Sequence, residues 1–245
     1  MARPILILQL RPEDEASDGE FADILSKGGL TPMQAVRVRL DAGPLPPVDL
    51  DAHAAVIVGG GPGCVSDDPA TRDPLEARME RDLLALMPAI LDRDMPFLGC
   101  CAGIGILAHH LGAEVSKRRW SEPVGPVECR LTVEGRADPL FGGLPGTFTA
   151  LVGHKEAVQA LPPGCVHLAA SDPCRFQAIR WGRNVYATQF HPEADGETFA
   201  SRIRIYRSRG YFPPDEADRL TALSRAARVT APPELLRRFC ARYAG

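Results

Sequence analysis

An α/β fold, with a mostly parallel sheet between two layers of helix, follows from three features of this sequence. In the first half, short apolar runs alternate with segments of helical periodicity. In the second half, stretches of period two follow one another closely. Near the end, proline pairs punctuate a helical tail rich in Arg and Ala.

The elements read in order as follows. Residues 5–10 are a compact apolar run, as in a strand buried on both faces. Asp18 is expected to cap a helix that presents Phe21, Ile24 and Leu25 on one side and stops at Gly28-Gly29. Val36, Val38 and Leu40 alternate with Arg37 and Arg39, which is strand periodicity. A proline-rich linker over residues 44–47 leads to residues 54–58, a second buried run that ends in Gly59-Gly60-Gly61-Pro62-Gly63. Asp73, Pro74 and Glu76 supply an N-cap, an N1 proline and a capping-box acid. Behind them Leu75, Met79, Leu83, Leu86 and Ile90 recur at helical spacing, and Pro88 is expected to kink or shorten that helix. A short strand over 96–98 precedes a helix that begins just after Cys101 and is read over 104–111. Val127, Cys129, Leu131 and Val133 then alternate, and short strands follow over 148–152, 166–170, 176–181 and 185–190. Gly182-Arg183-Asn184 joins the last two as a hairpin. Residues 1–210 are expected to form one domain, with residues 211–245 as a helical extension packed on it.

Composition narrows the function. At 245 residues the chain can bury a substantial core, and 45% apolar with 24% charged residues is the balance of a globular protein. Twenty-eight basic against 31 acidic residues leave a net charge of −3, which argues against bulk nucleic-acid binding, since that needs a basic footprint. The longest apolar stretches, such as residues 83–91, fall well short of the roughly 20 residues a membrane helix needs. The run over 5–10 is too short for a signal-peptide core and is followed by Glu13-Asp14-Glu15. Seven scattered cysteines without a C-x-x-C pair fit a reducing cytoplasm and disfavour a disulfide framework or a metal site. A cytoplasmic protein with neither nucleic-acid nor membrane partners is expected.

Chemistry concentrates in three places. In Gly99-Cys100-Cys101-Ala102-Gly103 a strand turns sharply into a helix around a thiol, the arrangement of a nucleophile elbow. Only Cys101 has glycines two residues before and after it; Cys100 has Leu98 and Ala102 there. The helix N-terminus and a neighbouring base are expected to favour thiolate at Cys101. His191-Pro192-Glu193 follows a strand and offers a base with a carboxylate to orient it. Gly59-Gly60-Gly61 closes another strand and can aim backbone N–H groups at an oxyanion. Each piece alone also has a plain reading: packed thiols, a surface histidine, a glycine turn. Adjacent His109 and His110 lack the spacing of metal ligands.

Together these motifs resemble the class I glutamine amidotransferases, whose pattern is a GGP loop, then G-x-C-x-G, then a late H-P-E. The chain is similar in particular to the glutaminase domains of GMP synthases. The likeness covers roughly residues 5–206, including Asp138-Pro139-Leu140-Phe141-Gly142-Gly143-Leu144-Pro145, His154 and Gln177-Ala178-Ile179. It implies a flavodoxin-like three-layer α/β/α sandwich with added C-terminal helices. It also implies Cys101 as nucleophile, His191 as base, Glu193 as its orienting acid, and the N–H groups of Gly61 and Ala102 as oxyanion donors. Gly60, Gly105 and His154 are then expected to border the substrate. No metal or organic cofactor is required. The implied activity is hydrolysis of the γ-amide of glutamine, with ammonia passed to a separate synthetase. One departure stands out: the family continues its elbow to a glutamine that holds substrate, and Gly105 occupies that position. A stand-alone hydrolase of another γ-glutamyl compound is therefore an alternative, with a non-catalytic binding protein as a third.

Overall fold

The computed structural model describes residues 3–244; residues 1, 2 and 245, at the ends of the two expected units, lie outside the described residues. In β1 (Ile5–Gln9) all five residues are buried, and period two sends Ile5 and Ile7 to one face and Leu6 and Leu8 to the other. A continuous apolar run thus feeds two separate cores. Helix α1 (Asp14–Gly28) begins a turn earlier than expected, so Asp18 lies inside it and caps nothing. Asp14 and Glu15 in its first turn complement the helix dipole, and Gly29, with φ 66°, ends it by donating to the Leu25 and Ser26 carbonyls.

β2 (Ala35–Arg39) and β3 (Ala55–Val58) flank β1 in parallel. Helix α2 (Pro74–Asp92) is capped by the Asp73 carboxylate, which accepts from the N–H groups of Leu75 and Glu76. It continues through Pro88 to Asp92 rather than stopping short: one turn follows the proline, and burial of Met87, Ile90 and Leu91 holds that turn on the sheet. β4 (Phe97–Cys100) passes through Cys101 straight into α3 (Ala102–His110), which begins just after Cys101 as expected.

β5 (Val115–Ser116) precedes the long β6 (Glu122–Leu131). Instead of extending that strand, as its period suggests, Val133 opens the short α4 (Val133–Ala137) and is 79% exposed. The Thr132 side chain stops the strand by accepting from the Gly135 N–H as an N-cap. Then follow β7 (Thr147–His154), β8 (Ala157–Val158), β9 (Cys165–Ser171), β10 (Ala178–Trp181), β11 (Val185–Thr188), α5 (Gly196–Ile205), α6 (Ala217–Ala226) and α7 (Ala231–Tyr243). The hairpin at residues 182–184 pairs Trp181 with Val185, as expected.

The main sheet has the order β2-β1-β3-β4-β11-β10-β9-β6-β7, and β5 pairs with β8 separately. Its first five strands are parallel, and only β10 and β6 run against the rest. Residues from α1 and α7, among them Ile24, Leu235 and Phe239, pack with Ile5 and Ile7 on one face. Met79, Leu83, Ile104 and Leu107 of α2 and α3 pack with Leu6 and Leu8 on the other. The result is the three-layer sandwich, with α7 built into its core. A smaller cluster joins Phe199 and Ile203 of α5 to Leu220 of α6 and to Leu151. None of the described helices is long and apolar enough to cross a membrane.

Candidate active site

Open α/β sheets present their sites beyond the carboxyl ends of parallel strands. Here β4 lies between β3 and β11, with Gly99 opposite Val58 and Cys100 opposite Thr188. The residues just past these three ends are the glycine loop 59–63, Cys101, and Gln189 to His191. Cys101 adopts φ 53° and ψ −92°, a strained conformation for a residue with a Cβ, held in part by its N–H donating to the Thr188 carbonyl at 2.8 Å. The elbow closes because a Cβ at Gly99 would stand 2.8 Å from the Gly103 backbone. The two thiols diverge across this turn. Cys100, 1% exposed, joins the core on the α1 side, whereas Cys101, 9% exposed, lines a cavity together with Gly61 and His191.

His191 and Glu193 are buried and joined, Nδ1 to Oε1, at 2.8 Å. Arg202 of α5 donates through Nη1 to the same oxygen at 2.7 Å, while Glu193 Oε2 has no partner among the described residues. With Nδ1 donating to the carboxylate, Nε2 keeps the ring's lone pair. Burial lowers the pKa of His191, a direction reinforced by the charges of Arg202 and Arg11 against the pull of Glu193. Burial alone would raise Glu193, but His191 and Arg202 hold it below the usual carboxylate range. Cys101 departs from expectation. Burial pushes its thiol up to about 12, and Arg11, the foremost opposing charge, does not overcome that. Burial thus favours the neutral form of both the thiol and the imidazole.

Gly61 and Ala102 line a second cavity that Cys101 also borders, with Gly105, His154, Glu156 and Gln189. The Gly61 N–H has no hydrogen-bond partner among the described residues, and Ala102 opens α3, where an N–H lacks an intrahelical acceptor. The Gly60 N–H is committed to Glu20 Oε1 at 3.1 Å. A Cβ at Gly105 would stand 3.0 Å from Glu156 Oε1, so this carboxylate fills the space into which a side chain at 105 would project. The Glu156 oxygens also receive the N–H groups of Val65 and Ser66, at 3.0 and 2.9 Å, which ties down the loop behind the glycines. His154 Nε2 lies 2.7 Å from Glu122 Oε2, and Nδ1 lies 2.7 Å from the Glu156 carbonyl. Glu122, His154 and Cys174 cluster closely enough to suggest a metal site. Both Glu122 oxygens, however, are already engaged by His154, Ser171 or Gln177, so the carboxylate belongs to a polar network within the protein.

Three further residues reach the site: Arg11 past the end of β1, Arg202 on α5 and Tyr211 before α6. The Tyr211 hydroxyl lies 3.3 Å from the Gly61 carbonyl, and Lys155 sits over its ring. Arg11 carries one readable signal, a charged residue just past the first parallel strand. Arg202 and Tyr211 have none, since nothing in their local sequence separates them from surface residues.

Residues 34–204 match the family described as glutamine amidotransferase class-I, which is most of the chain. A glutamine-hydrolyzing GMP synthase subunit from Natronomonas pharaonis is 30% identical over 149 residues, covering 60% of this chain and 70% of that one. The GMP synthase of Thermosipho melanesiensis is 32% identical over 150 residues, or 61% of this chain, but the match spans only 26% of that longer protein. The solved glutamine amidotransferase of Methylobacillus flagellatus superposes with a TM-score of 0.72 at 22% identity, over 99% of this chain and 94% of that one, a likeness of fold. With the family match running from β2 into α5 and the same architecture on both sides of it, this chain belongs to the class I glutamine amidotransferases.

Proposed function

We propose that the chain hydrolyses the γ-amide of glutamine, with Cys101 as nucleophile, His191 as base and then acid, and Glu193 as the group that fixes the imidazole. The observation that carries this reading is the shared cavity of Cys101 and His191, with Nδ1 of that histidine tied to a buried carboxylate. His191 Nε2 takes the thiol proton as Sγ attacks the γ-carbonyl. The oxyanion that forms is held by the N–H groups of Gly61 and Ala102. His191 then delivers the proton to the departing nitrogen, and water cleaves the thioester to release glutamate. Because burial favours the neutral form of both partners, proton transfer accompanies attack in this reading. Glu156 and His154 shape the acyl side, and Glu156, in the space a side chain at 105 would take, offers a partner to the α-ammonium of the substrate.

One relative is named as a subunit of a synthase, and on that likeness the ammonia goes to a separate synthetase. Trapping with a glutamine-analogue diazoketone tests the chemistry: the adduct is expected on Cys101, and an adduct on Cys100 or none at all sinks the assignment. Co-purification with and without nucleotides tests the partner, which is expected to be an ammonia-using enzyme.

A further inference from the structure

The sulfur of Cys101 borders two cavities, and they differ in chemistry. One holds Gly105, His154 and Glu156; the other lies on the His191 side and contains Arg11, Arg202 and Tyr206. If His191 protonates the departing nitrogen, the leaving group emerges into the second cavity and the acyl part occupies the first. Ammonia needs no receptor there, yet a guanidinium is built into the wall. Arg11 is 5% exposed. Its Nε donates to Glu20 at 2.8 Å and its Nη1 to the Tyr206 hydroxyl at 3.2 Å, while Nη2 has no hydrogen-bond partner among the described residues. Nη2 and His191 Cε1 each lie 2.7 Å from the point a Cβ at Gly60 would occupy, so glycine there lets guanidinium and imidazole face each other. An open donor on a buried cation is a strong site for an anionic acceptor.

We propose, on the footing of the reaction assigned above, that this cavity is a leaving-group subsite for γ-glutamyl amides whose amine is an α-amino acid with a free carboxylate. Arg11 Nη2 receives that carboxylate. In such a substrate the carboxylate is two bonds from the departing nitrogen, so a nitrogen placed at His191 puts it beside Arg11. Val124, Phe199 and Ile203 offer apolar wall to the amino-acid side chain. In the first step the Sγ–C bond forms and the C–N bond breaks, and the thiol proton travels through His191 to the nitrogen of the released amino acid. In the second, water adds its oxygen to the carbonyl carbon, the Sγ–C bond breaks and a proton returns to sulfur.

The test compares γ-glutamylglycine with γ-glutamylglycinamide, alike in size but differing in that one charge, with glutamine as reference. The unaltered chain is expected to favour γ-glutamylglycine in kcat/KM by about tenfold or more. Arg11→Met is expected to bring that ratio close to one, and Arg11→Lys to restore part of it. Equal cleavage of the two glycine compounds by the unaltered chain, with glutamine or either of them still turned over, overturns the subsite and leaves the hydrolytic reading standing. Preference for the carboxylate that survives Arg11→Met overturns the role of Arg11. If none of the three is cleaved the subsite falls, and if Cys101 also resists the diazoketone the hydrolytic reading falls with it. The ratio in the unaltered chain decides the matter even if the Arg11 variants fail to fold.

Discussion

At Cys101 burial and charge oppose each other, and burial wins. The thiolate is penalised by desolvation more than it is favoured by Arg11, which leaves a thiol that ionises only as its proton is taken. Alkylation of Cys101 by iodoacetamide, mapped by mass spectrometry, is therefore expected to rise with pH through the neutral range toward about 12; a plateau near neutrality would reveal a resting ion pair. Cys100 lies behind the turn in the apolar core, so Cys101→Ala is expected to abolish ammonia release while Cys100→Ala leaves most of it. His191→Ala should cost several orders of magnitude, since members of such a set act as a unit. Because burial lowers the pKa of His191 and the base must be neutral, the acid limb of kcat/KM should fall below pH 6.5.

Among the elements, α7 shows how a tail becomes core. Its apolar residues Leu235, Leu236, Phe239 and Cys240 are fully or almost fully buried against α1 and the sheet, while Arg237 pairs with Glu234 on the outer side. Phe239→Ala is expected to destabilise the fold by roughly 3–5 kcal/mol in urea denaturation, with catalysis per folded molecule retained because α7 lies across the sheet from α2 and α3. The arginine pair at 237 and 238 conceals this in a plain reading of composition, although the helical spacing of 235, 236, 239 and 240 carries the signal. Boundaries were less legible than elements. α1 begins before Asp18 because Asp14 and Glu15 already suit a first turn, and Val133 leaves its strand because Thr132 caps. In both cases local hydrogen bonds and the helix dipole decide what hydrophobic period alone leaves open.

For the whole molecule, the buried ionic site ties stability to pH. His191 has a folded pKa below 6.5, so between 6.5 and that lowered value the unfolded chain binds the proton more readily, and stability falls as pH drops. Glu193 is also lowered from 4.5, so its stabilising contribution is present above 4.5 and is lost as pH falls through the folded value. Urea midpoints measured between about pH 3 and 8 should decline steadily below pH 6.5, and His191→Gln should remove the upper part of that decline. A midpoint indifferent to His191→Gln would place the titrating groups elsewhere.

The sequence by itself determined the layers, the elbow and the order of the three motifs, because strand and helix periods and a turn that admits only glycine beside a backbone are local matters. Tertiary structure alone decided that Arg202 and Tyr211 enter the site and that burial raises the Cys101 thiol. Those outcomes depend on which distant segments exclude water from a side chain and which bring a charge to it. No window of neighbouring residues contains that information.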